Sequence, residues 1–116
     1  MAVTPDEQGR SVETIRREAG MEFLVHIEVR WPPESDPEQK ARLVSAEADR
    51  ARDLIGEGRI RRLWRIPGRW ANYGLWEAAD ATELHAALTS LPLYDWCDIE
   101  VDALAAHPSD PGPSRT

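Results

Sequence analysis

The chain has 116 residues, 41% hydrophobic and 30% charged, a size and balance that fit one globular domain and exclude a disordered polymer. Its 14 basic residues, of which only Lys40 is a lysine, are outnumbered by 21 acidic ones, and the net charge of −7 argues against nucleic acid or an anionic membrane as partner. A single cysteine, Cys97, excludes an intramolecular disulfide and a Cys-rich zinc site, and no uncharged run approaches the roughly 20 residues that a membrane-spanning helix needs.

Residues 1–20 are polar, carry charges throughout and show neither an apolar stripe nor a leader-peptide pattern. They read as an extension outside the core of a cytoplasmic protein. The patterned domain spans 21–109, and residues 110–116 form a Pro- and Gly-containing tail. Phe23 to Arg30 alternates, with Phe23, Val25, Ile27 and Val29 on one face and Leu24, His26, Glu28 and Arg30 on the other, which is strand period. After Trp31-Pro32-Pro33, Ser35 or Asp36 caps a helix that has Pro37 in its first turn, and Gly56 and Gly58 stop it. Ile60–Ile66 and Trp70–Trp76 read as strands of a hairpin about a Pro67-Gly68 turn. Asp80-Ala-Thr-Glu83 resembles a capping box and opens a second helix with a stripe of Leu84, Ala87, Leu88 and Leu91, closed by Pro92. Cys97–Leu104 alternates as a last strand. The order βαββαβ predicts an α+β, ferredoxin-like antiparallel sheet with two helices on one face. Two helices cannot cover both faces of a sheet, so an obligate oligomer is expected.

The first helix carries the most informative anomaly. Leu43, Val44, Ala51, Leu54 and Ile55 form its apolar stripe, and Glu47 falls inside that stripe. A carboxylate against an apolar wall has a raised pKa and can exchange a proton near neutrality. The alternative is a buried ion pair with an arginine of the sheet. Lys40 lies on the same stripe, where an aliphatic stem with an exposed amine is the simpler reading. In the hairpin, alternation puts Ile60, Arg62, Trp64 and Ile66 on one face and Arg61, Leu63 and Arg65 on the other, so Arg62 beside Trp64 is the candidate for binding a small carboxylate. Asn72 and Tyr73 can each hydrogen-bond a substrate oxygen or serve as structural polar groups. His26 reads as a structural histidine or a site residue, and neither His85 nor His107 stands at a metal-ligand spacing. With no HExxH, CxxC, GxSxG or glycine-rich phosphate loop, the chemistry left is acid/base work without metal or other cofactor.

Three segments resemble muconolactone delta-isomerases: Met21-Glu-Phe-Leu-Val-His-Ile-Glu-Val29; Arg62-Leu-Trp-Arg-Ile-Pro-Gly-Arg-Trp-Ala-Asn-Tyr73; and Leu91-Pro-Leu-Tyr94 with Asp98-Ile-Glu-Val-Asp102 and His107-Pro-Ser109. The resemblance runs in one register from Met21 to about Ser109. It implies a dimeric α+β barrel that assembles into a decameric homo-oligomer. It also implies a role in aromatic hydrocarbon catabolism, in the catechol branch of the 3-oxoadipate pathway. The implied reaction moves the ring double bond of muconolactone, a small lactone carboxylate, to give 3-oxoadipate enol-lactone, without a cofactor. Glu47 matches a glutamate of the family and becomes the expected proton shuttle, with Arg62 as carboxylate clamp and Asn72 or Tyr73 as donors to the lactone. His26 stands where family members carry lysine and Arg62 where they carry histidine, departures that bear on substrate choice. A relative acting on another unsaturated lactone or a secondary-metabolite intermediate, and a non-catalytic ligand-binding barrel, are the alternatives.

Overall fold

A computed structural model describes residues 20–112; the expected extension over 1–20 lies outside them but for Gly20, as does the end of the tail, residues 113–116. The elements follow the order β1 (Met21–Val29), α1 (Pro37–Gly56), β2 (Ile60–Arg65), β3 (Ala71–Ala78), α2 (Ala81–Thr89), a 3₁₀ turn (Tyr94–Trp96) and β4 (Cys97–Leu104). All strand pairs are antiparallel, and the order across the sheet is β2-β3-β1-β4. This is an α+β fold of the ferredoxin-like kind.

Local chemistry sets the element ends. Asp36 is the cap of α1, accepting from the Glu38 N–H at 3.2 Å, with Pro37 supplying a preset φ in the first turn. At the other end Gly58 takes φ +79°, the Gly58 N–H donates to the Ile55 carbonyl, and the Arg59 N–H donates to the Leu54 carbonyl, the two bonds of a Schellman stop. The β2–β3 turn has Pro67 and then Gly68 at φ +78°, the order a type II turn requires. Asp80 caps α2 by accepting from the Glu83 N–H at 2.8 Å, while Glu83 reaches back to the Ala79 N–H, one residue beyond the usual capping-box partner.

The two helices are held very differently. Leu84, Ala87 and Leu88 of α2 are buried with Phe23, Val25 and Trp76 in the main core. In α1 only Leu54 is fully buried; Val44 and Ile55, expected on its packed stripe, are 52% and 50% exposed. An amphipathic pattern tells a helix which side to present and says nothing about its stand-off distance. Here α1 is lifted from the sheet along much of its length.

The second departure is in β2. Ile60 pairs with Trp76, yet Arg62 pairs with Leu75, so Arg61 is an extra residue in a β-bulge. Opposite residues of a pair share a face, and the pairing puts Ile60, Leu63 and Arg65 on the helix side with Trp76, Gly74 and Asn72. Arg62 and Trp64 therefore lie on the other face, with Leu75 and Tyr73. Strict alternation is corrected accordingly: Arg62 does not share a face with Ile60. No helix among the described residues is long and apolar enough to cross a membrane.

Candidate active site

Because α1 stands off the sheet, a cavity of about 290 Å³ opens beneath it, close to the lower end of the range for small-molecule pockets. Val44, Glu47, Ala48 and Ala51 form its helix wall, and Ile27, Val29, Leu63, Arg65, Asn72 and Trp76 come from the sheet. Trp31 and the 75%-exposed Trp70 stand at the margin, and Leu91 and Leu93 close the end beyond α2. Small residues at 48 and 51, next to and one turn beyond Glu47, keep the helix wall low.

Glu47 is the acidic group of this cavity. Its Oε1 accepts the Leu93 backbone N–H at 3.0 Å, which ties the middle of α1 to the segment after α2. Burial raises the carboxyl above its ordinary pKa, and the Leu93 hydrogen bond opposes that shift more weakly. Cys97 reports the same environment: burial first, then the negative charges of Glu47 and Asp98, push its thiol up to about 11. Packed half-buried against the core, it is a neutral thiol at ordinary pH.

Arg65 is the basic group. It forms no ion pair with the described residues, although most other arginines of the sheet and its hairpin do. Glu47 and Arg65 thus share one cavity without neutralising each other. Two buried polar atoms on the same wall also lack a hydrogen-bond partner among the described residues, Asn72 Oδ1 and Trp76 Nε1. An unmet donor or acceptor costs on the order of 1–3 kcal/mol, so two in one cavity mark a place where a ligand's polar atoms can fit.

The structure separates the residues singled out from sequence. Glu47 and Asn72 line the cavity. Arg62, Trp64, Tyr73 and His26 lie on the opposite face of the sheet, where the Arg62 guanidinium stacks 5.0 Å from the Trp64 ring and His26 sits 5.1 Å from Tyr73. The bulge moves the first two across, and strand parity separates Tyr73 from Asn72. Lys40 stacks 5.2 Å above Trp31 near the cavity margin. Sequence reasoning missed Arg65, Trp76 and the Leu93 N–H. The alternation Asn72, Gly74, Trp76 could have found Trp76, whereas nothing in Ile60-Arg-Arg-Leu63 marks which arginine is the extra residue.

A family model described as muconolactone delta-isomerase matches residues 21–110. The chain belongs to this family. The muconolactone delta-isomerase of Pseudomonas aeruginosa is 45% identical over 89 residues, covering 77% of this chain and 93% of the relative. That of Pseudomonas putida is 39% identical over the same shares. A crystal structure of muconolactone isomerase superimposes with a TM-score of 0.75 at 39% identity, covering 81% of this chain and 98% of that one. Membership in the muconolactone delta-isomerase family agrees with the ferredoxin-like sheet and places this chain among intramolecular isomerases.

Proposed function

We propose that the chain catalyses the reaction for which its family is named, shifting the ring double bond of muconolactone, and that the cavity under α1 is where it happens. The observation that carries this reading is Glu47: a half-buried carboxyl with raised pKa, sharing its cavity with a guanidinium that does not neutralise it. The carboxylate takes the proton from the ring carbon that bears the carboxymethyl arm. The electron pair of that C–H bond moves through the ring, leaving negative charge on the lactone carbonyl oxygen. Glu47, now protonated, returns the proton to the carbon next to that carbonyl, and the base is regenerated. One group suffices for both transfers, because both carbons belong to one small ring.

In this reading Arg65 anchors the substrate carboxylate, the role that sequence alone gave to Arg62. A fixed guanidinium fork aligns the ring over Glu47 and holds it there. Asn72 donates to the lactone oxygen through its amide, whose oxygen and nitrogen ends are interchangeable by rotation.

The catalytic unit is residues 21–109, acting in the cytoplasm as a dimer-based homo-oligomer. What supports association is the second sheet face, which presents Trp64 and Tyr73 at 43% and 42% exposure with no helix of the described residues over them. Arg61 and Arg62 lie towards its β2 edge, and Asp98, Glu100 and Asp102 towards its β4 edge. A two-fold axis along the strands sets the arginine edge of one copy over the acidic edge of the other.

The test is proton NMR of the purified protein with muconolactone in deuterated water. Migration of the double bond is the expected result, with deuterium entering beside the carbonyl in the fraction of turnovers in which the protonated Glu47 exchanges with solvent before returning its proton. No change at micromolar enzyme refutes the assigned substrate.

A further inference from the structure

The charge that develops on the lactone oxygen needs a donor, and one buried N–H in the cavity has no partner among the described residues. Trp76 is only 1% exposed, lines the cavity, and its Nε1 makes no hydrogen bond. Buried indole N–H groups usually find an acceptor, because leaving one unmet is costly. The sequence has also made room for this placement. A Cβ added at Gly74 would stand 2.6 Å from Trp76 Nε1 and 3.0 Å from its Cδ1, so the indole lies back along β3 over a residue that must have no side chain. The Gly74 backbone is not in the left-handed region, so space and not conformation demands glycine there. Leu63 Cδ2, 3.1 Å from the same point, is the indole's neighbour over the notch and belongs to a 45%-exposed side chain that can turn aside. Asn72 stands at the far side of Gly74 on the same face.

We infer that the Trp76 indole N–H, laid over Gly74, is a hydrogen-bond donor to the lactone carbonyl oxygen of the substrate. This rests on the isomerase reading and adds to it a catalytic residue that acts with Asn72. A neutral donor suits this position, because it strengthens its bond as the oxygen gains charge and offers Glu47 no competing proton at neutral pH. Gly74 is a positioning residue, acting only through the indole.

Two measurements test this. With 15N-labelled tryptophan, the protein gives one indole signal for each of its five tryptophans, and the signal lost in Trp76→Phe identifies the Trp76 N–H. On adding the saturated lactone carboxylate, which lacks the ring double bond and cannot react, this proton is expected to move downfield more than any other indole proton. In turnover, Trp76→Phe is expected to lower kcat about 100-fold, the usual cost of one oxyanion donor, with KM nearly unchanged; Gly74→Ala should do the same by displacing the ring. If the probe shifts the Trp31 or Trp70 signals and leaves Trp76 in place, the inference fails while the isomerase reading stands. A folded Trp76→Phe protein with wild-type kcat also overturns it. If no indole signal responds and the unaltered protein does not turn over muconolactone, both fall together.

Discussion

Replacing Glu47 by glutamine separates chemistry from architecture. The amide has the shape of the carboxyl and keeps an oxygen to accept the Leu93 N–H, now at 3.0 Å. What it loses is the capacity to take and return a proton. General acid–base catalysis contributes about 10²–10⁴-fold, so E47Q should lose that factor in kcat, about 3–5 kcal/mol in barrier height. Its effect on stability has the opposite sign. Burial raises the Glu47 pKa in the folded state, so the folded protein holds this proton more tightly than the unfolded chain does. The contribution of this group is therefore most favourable below the unfolded value and is lost as pH rises through the folded value. E47Q, which does not titrate, should gain on the unaltered protein across that same window. Glu47→Ala should behave differently, because the Leu93 N–H loses its acceptor at a cost of about 1–3 kcal/mol. Turnover by NMR and urea unfolding between pH 4 and 8 measure both sides. An E47Q protein that keeps more than about a tenth of wild-type kcat would falsify the assignment of Glu47 as proton shuttle, and a stability difference independent of pH would remove the claim that its carboxyl is desolvated.

Arg65→Gln should raise KM about 10–100-fold, the worth of hydrogen bonds to a charged group, while Arg62→Gln leaves KM nearly unchanged. Equal effects from the two would contradict the face assignment made by the bulge. Cys97, with its thiol at about 11, should react slowly with iodoacetamide at pH 8, and faster in E47Q, where one of the charges holding the thiol up is gone. An unchanged alkylation rate would mean that Glu47 carries no charge next to the thiol.

Much of this molecule is legible in its residues because the signals are local. Asp36-Pro37, Gly58 at a helix end, Pro67-Gly68 and Asp80-x-x-Glu83 each fix a boundary by satisfying nearby backbone groups, and the order βαββαβ follows from them. Glu47 stood out because a charge broke an apolar stripe. The unreadable parts depend on three dimensions. A period-two reading assumes that no residue is inserted, and in Ile60-Arg-Arg-Leu63 either arginine can be the extra one; the choice is made by Trp76 and Gly74 across the hairpin. The stand-off of α1 is equally invisible, since Val44 is apolar whether it meets the sheet or the wall of a cavity.

The unequal seating of the two helices divides labour along the sheet. The α2 half holds the close-packed residues that keep the chain folded, and the α1 half holds an open space, a desolvated carboxyl and unmet polar atoms. Larger side chains at Ala48 or Ala51 would tighten the loose half and fill the room a substrate needs, a trade of reactivity for robustness. Changes under α2 touch folding first, and changes under α1 touch ligand choice first. The two halves still meet at Trp76 and Leu91, which belong to both the packed core and the cavity, so a change at either reaches folding and ligand together.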